Sequence, residues 1–88
     1  MKLDQVRAKI DAIDPQIRAL LMERLDCSKL VAEAKQEAGE TNIYRADREQ
    51  AILEKLSQGV PEDRLPEYLA VVRKIMETSR MYQYGMLF

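Results

Sequence analysis

The chain has no histidine, a single cysteine at Cys27, three glycines and three prolines among its 88 residues, and almost no net charge. Each scarcity closes off a class of function. Without histidine there is no His-based triad and no imidazole acid or base. With one cysteine there is neither an internal disulfide nor a zinc site of the usual Cys/His spacing, so neither metal nor cofactor is implied. Fourteen basic against fifteen acidic residues leave a formal charge of −1, which gives no basic face able to displace counterions from DNA or RNA. Nucleic acid is therefore not an expected partner. No apolar run approaches the ~20 residues of a membrane span, and Met1 and Lys2 lead straight into Leu3 and Asp4 with no signal-like apolar stretch. A membrane is not expected as a partner either, and a reducing, cytoplasmic setting is the expectation. The length suits one small domain over 1–88 and is too short for two.

What is present is helix-forming text rich in Ala, Leu, Glu, Lys, Arg, Gln and Met, and the expected fold class is all-α with three helices. From Leu3 to Ala38 there is no glycine, and Leu3, Val6, Ile10, Ile13, Ile17, Leu20, then Cys27, Val31 and Ala38 recur at threes and fours or their sums. Gly39 closes this helix in the position after the C-cap. Pro15 removes one hydrogen bond at a cost of ~3 kcal/mol, and Asp14 is able to cap a new helix there. The stripe nevertheless keeps its phase across the proline, which favours one kinked helix over two. Residues 39–42 read as a loop, and a second helix runs from Arg45 to Ser57, ending at Gly59. Pro61 starts a polar connection and Pro66 suits the first turn of a third helix. The seam of that helix, Leu65, Leu69, Val72, Met76, Ser79, Gln83 and Met86, alternates fours and threes. The first helix, at ~1.5 Å per residue, spans ~54 Å against the ~25 Å of a compact chain this size. Such a helix cannot cover its own stripe, so an intertwined homodimer is expected.

Polar residues interrupt these seams. Three-four stepping carries the first helix from Leu20 to Arg24, Ser28, Val31 and Lys35, setting two cations on an apolar face. Arg24 and Lys35 are about 20° apart in azimuth and ~16 Å apart along the axis, so their long side chains can converge on one small anion. Alternatively, their stems pack and their charged heads reach water. Ser79 and Gln83 stand where apolar residues are expected, as donors to a ligand or as a pair that fixes helix register. The second helix opens with Arg45-Ala46-Asp47-Arg48-Glu49. Asp47 and Glu49 offset the helix dipole there, whereas Arg48, on the face of Ile52 and Leu56, opposes it. The expected inward set is Arg24, Lys35, Arg48, Glu49, Ser79 and Gln83. Three cations against one carboxylate make too costly a core unless a dianion balances them. The set describes a pocket for a small hydroxylated dicarboxylate. With no nucleophile and no acid or base poised near neutrality, it suits a reaction promoted by shape and fixed charge.

Over nearly its whole length the chain resembles the all-helical chorismate mutases, the AroQ class. The text that carries the resemblance is Val6-Arg7-Ala8-Lys9-Ile10-Asp11-Ala12-Ile13-Asp14, Leu20-Leu21-Met22-Glu23-Arg24, the lone Lys35, Asp47-Arg48-Glu49, and Glu77-Thr78-Ser79-Arg80-Met81-Tyr82-Gln83. It implies a homodimer of three-helix chains and the rearrangement of chorismate to prephenate, toward phenylalanine and tyrosine, without a cofactor. It further implies that Arg24 and Arg7 hold the two carboxylates, with Arg7 supplied by the other subunit. The resemblance likewise implies that Lys35 and Gln83 bind the ether oxygen, that Glu49 accepts from the ring hydroxyl, that Arg48 supports the carboxylate end and that Ser79 bonds a carboxylate. For Arg45 it implies a backbone contact. Pro15 and a slightly long loop between Lys35 and Arg48 depart from the family pattern. Two rivals stand beside this reading. One is an isochorismate pyruvate-lyase of the same fold, whose pattern is more apolar at Glu49 and Ser79. The other is a non-catalytic helical dimerisation module in which the seam polars set register only.

Overall fold

The glycine-free text folds as one unbroken helix, α1 (Leu3–Glu37), in a computed structural model that describes residues 1–87. The expected domain limit at Phe88 lies outside the described residues. Gln5 starts α1 by accepting the Lys2 backbone N–H at 3.0 Å, and Asp4 adds an acidic group to the first turn. The helix continues through Pro15. Beside the carbonyl of Asp11, which loses its donor to the proline ring, Gln16 turns its amide back to the Ala12 carbonyl at 3.1 Å. At the other end Gly39 takes φ 70° and donates to Gln36 O at 3.1 Å, while Glu40 donates to Lys35 O at 2.8 Å. This pair of reversed bonds is what a left-handed residue after the cap permits, and it ends α1 one residue before the expected Ala38. Arg45 is the N-cap of α2 (Ala46–Ser57), and Pro66 lies in the first turn of α3 (Leu65–Leu87).

The third helix is the hub. It packs on both α1 and α2, whose backbones do not closely approach each other among the described residues. Its expected seam faces inward, with Val72, Met76, Ser79 and Gln83 all buried. On α1 the stripe needs correction. Cys27 and Val31 are exposed, Leu20 is 67% exposed, and the covered positions are Leu21, Leu25, Ser28 and Ala32 instead. From Ile17 a step of four to Leu21 holds the azimuth better than a step of three to Leu20, and continues through Ser28 and Ala32 to Lys35. Among the described residues the buried apolar ones are Ala32, Ile43, Val72 and Met76.

Residues 1–20 are exposed throughout, although they carry Leu3, Val6, Ile10, Ile13 and Ile17 on one face. The chain measures 55 × 26 × 16 Å, and its radius of gyration of 16.3 Å exceeds the ~12 Å of a compact chain this long. A groove lined by Leu21, Met22, Leu25, Val71 and Ile75 continues the uncovered face between α1 and α3. Among the described residues no helix is long and apolar enough to cross a membrane.

Candidate active site

A cavity of about 310 Å³ opens between the C-terminal half of α1, the start of α2 and the middle of α3. That volume is at the small end of the range for ligand sites, ~300–1,000 Å³. Arg24, Lys35, Arg45, Arg48, Glu49, Ser79 and Gln83 all line it, together with Cys27, Ser28 and Arg80. Its apolar walls are Val31, Ile43, Ile52 and Met76. Arg7 is not among the lining residues. It sits seventeen positions before Arg24 on the same helix, ~25 Å away along the axis.

The α1–α3 wall is built on hydroxyls. Ser28 Oγ donates to the Arg24 carbonyl at 3.2 Å, so the Ser79 hydroxyl, 2.5 Å away, donates to Ser28, and Gln83 Nε2 in turn donates to Ser79 Oγ at 3.4 Å. One proton per hydroxyl fixes this direction. Gln83 is buried, and its Oε1 has no partner among the described residues. An unmet buried acceptor costs ~1–3 kcal/mol, a debt that a donor in the cavity relieves. Ser28 was legible as a polar residue on the stripe, but nothing in sequence pairs it with Ser79, fifty-one positions away.

Lys35 reaches the loop that the Gly39 turn sends back across the helix end. Its Nζ donates to Asn42 O at 2.7 Å, leaving two ammonium hydrogens for the cavity. At the start of α2, Arg45 gives Nε and Nη2 to Asp47 at 3.2 and 3.0 Å. That hydrogen bond holds the Asp47 carboxyl below its ordinary value and pushes the Arg45 guanidinium higher. Glu49 is half-buried and engaged by Arg80, whose Nη1 lies 2.5 Å from each carboxylate oxygen. The Arg80 guanidinium also covers the Tyr44 ring, 4.7 Å from its centroid. Its pKa is raised, chiefly by the Glu49 hydrogen bond.

The ion pairs therefore consume Glu49 and Asp47 and leave Arg24, Lys35 and Arg48 without a carboxylate among the described residues. Three cations without a paired carboxylate line one small cavity, an arrangement suited to an anion, because close like charges are tolerated when a ligand or solvent compensates them. A family model described as chorismate mutase type II matches residues 6–84. The chain belongs to the type II chorismate mutase family. The match begins one residue before Arg7 and ends one residue after Gln83, so each of the family's polar positions quoted above falls inside it. No curated protein and no solved structure matches the chain closely enough to be counted. Within a chorismate mutase fold, the sequence reading missed Ile43 as a buried wall and Arg80 and Tyr44 as the backing of Glu49. The acid-helix text around Glu49 carried no signal for a partner thirty-one residues away.

Proposed function

We propose that this protein catalyses the Claisen rearrangement of chorismate to prephenate, on the route to phenylalanine and tyrosine. The observation that carries the reading is the set of three cations, Arg24, Lys35 and Arg48, uncompensated around one cavity. Chorismate is a dianion with a ring hydroxyl and an ether oxygen, and each finds a partner of the right kind. In the reaction the ether C–O bond breaks as a C–C bond forms within the same molecule, and no proton is gained or lost. Negative charge grows on the ether oxygen, where a Lys35 ammonium hydrogen and the Gln83 amide can donate. The Gln83 amide gives one Nε2 hydrogen to Ser79 and keeps a second that is available to the ether oxygen. Donors already fixed in place need no reorganisation as charge develops, and holding the side chain over the ring removes the entropy of folding it there.

The site is completed by a second copy of the chain. Residues 3–20 expose an apolar face that nothing in one chain covers, and a groove between α1 and α3 runs on from it. An antiparallel partner helix covers that face and brings Arg7 of the partner subunit toward Arg24, so that two arginines hold two carboxylates.

Following the loss of chorismate by absorbance, with the product identified, tests the reading. Prephenate is the expected product. Pyruvate and salicylate formed from isochorismate indicate the lyase instead, and no turnover of either leaves a non-catalytic helical dimer.

A further inference from the structure

The Glu49 carboxylate faces the cavity from α2, yet α3 controls it. Arg80 Nη1 stands 2.5 Å from both of its oxygens, and the two side chains are similarly shielded, at 25% and 20% exposure. Through these two contacts the pair joins α2 to α3. Arg80 is itself held by the Tyr44 ring beneath its guanidinium. A flat cation between a carboxylate and an aromatic face has little rotational freedom, because stacking and the charge-assisted bond fix it from two directions. Arg80 and Glu49 both line this cavity, and both also line a smaller one with Tyr44, Arg73 and Glu77. The pair thus borders both cavities at once.

We propose that Arg80 is a positioning residue for substrate recognition: by straddling Glu49 it orients the carboxylate and neutralises its charge, so that a dianion carrying a ring hydroxyl is accepted beside it. The inference rests on the chorismate reading of the site. Two physical effects combine. An unpaired carboxylate pushes away a dianion at contact distance, whereas a paired one presents only its hydrogen-bonding lone pairs. A carboxylate held at both oxygens also has its remaining lone pairs aimed in fixed directions, which selects for a hydroxyl placed to meet them. Arg80 acts through Glu49 and not on the reacting atoms.

The test is a double-mutant cycle on chorismate with the parent, Arg80→Met, Glu49→Gln and the double variant, reading kcat and KM separately. Methionine keeps an unbranched side chain of similar reach and removes the guanidinium, with its charge and its contact with the Tyr44 ring. Losing a charge-assisted contact predicts a fall in kcat/KM of about 10- to 100-fold for Arg80→Met, taken mostly as a rise in KM. In the Glu49→Gln background the same replacement should cost less than about threefold, because there is no carboxylate left to orient or neutralise. Equal losses in both backgrounds, or a fall in kcat alone, overturn the proposal and make Arg80 a structural strut. Should Arg80→Met lose its helical circular dichroism, Arg80→Lys runs in the same cycle. It keeps a cation that cannot straddle and stack at once, with a smaller loss and the same dependence on Glu49 expected. A parent with no turnover of chorismate overturns the functional reading itself, and the proposal with it, before any Arg80 variant is compared.

Discussion

Replacing Gln83 by Glu changes one amide NH2 to an oxygen and almost nothing else. The side chain stays the same length in a position that is buried beside Ser79, so α3 should pack as before. Protonated, the new carboxyl still offers one donor to the ether oxygen. Ionised, it offers none and repels the charge that grows there. Removing one preorganised donor from a developing oxyanion costs ~10²–10³ in rate, which sets the drop expected when the carboxylate dominates. Above the new group's pKa the variant should therefore lose about tenfold in kcat/KM per pH unit, because only its protonated fraction works. Burial at this position raises that pKa, and Arg24, Lys35 and Arg48 around the cavity lower it. The direction of the profile does not depend on which wins. The parent should be nearly flat from about pH 6 to 8, since histidine is absent and neither an amide nor an ordinary lysine titrates there. Initial rates of chorismate loss in constant ionic strength buffers read both profiles. A Gln83→Glu profile as flat as the parent's, at an unchanged rate, would remove Gln83 from the mechanism and leave it the role of setting helix register.

Sedimentation at micromolar concentration should give twice 10.2 kDa, and Ile13→Asp, which places a charge at the centre of the uncovered face, should shift the chain to monomer and abolish turnover. A parent that sediments as an active monomer contradicts the shared site. Ser28→Ala removes the acceptor of the Ser79 hydroxyl and should cost ~0.5–1.5 kcal/mol in stability, with a fall of a few fold in kcat/KM. An unchanged melting temperature and unchanged kinetics mean that the hydroxyl relay carries no weight. Gly39→Ala, at φ 70°, should cost about 1 kcal/mol in the melting curve, and no loss there rules out strain in the turn that returns Asn42 to Lys35.

The seam of α3 was legible because every one of its polar interruptions, Ser79 and Gln83, fell on a strict alternation of fours and threes that an inward face requires. The same periodicity blurred on α1. Leu20, Leu21, Leu25, Cys27 and Val31 offer more apolar residues than one face can use, and only the position of α3 decides that Leu21, Ser28 and Ala32 are covered. The cavity residues could be named in advance because charge on an apolar stripe is a local contradiction, visible without coordinates. Contacts that stabilise those residues are not local. Glu49 with Arg80, Ser28 with Ser79, and Lys35 with the carbonyl of Asn42 join different elements or use backbone atoms, and no spacing rule announces them. Ile43 is buried in the connection before α2, where loop text gives no period to read.

The central claim is an anion site completed between two copies of the chain, and mixing two inactive variants tests it most directly. Arg7→Ala and Arg24→Ala should each abolish chorismate turnover as homodimers. Co-refolded together, they should form heterodimers in which one of the two sites keeps both arginines. Activity should then return to about a quarter of the parent's at equal mixing, since half the dimers are mixed and each has one intact site. Both variants remaining inactive after demonstrated subunit exchange would contradict a site built from Arg24 of one chain and Arg7 of its partner.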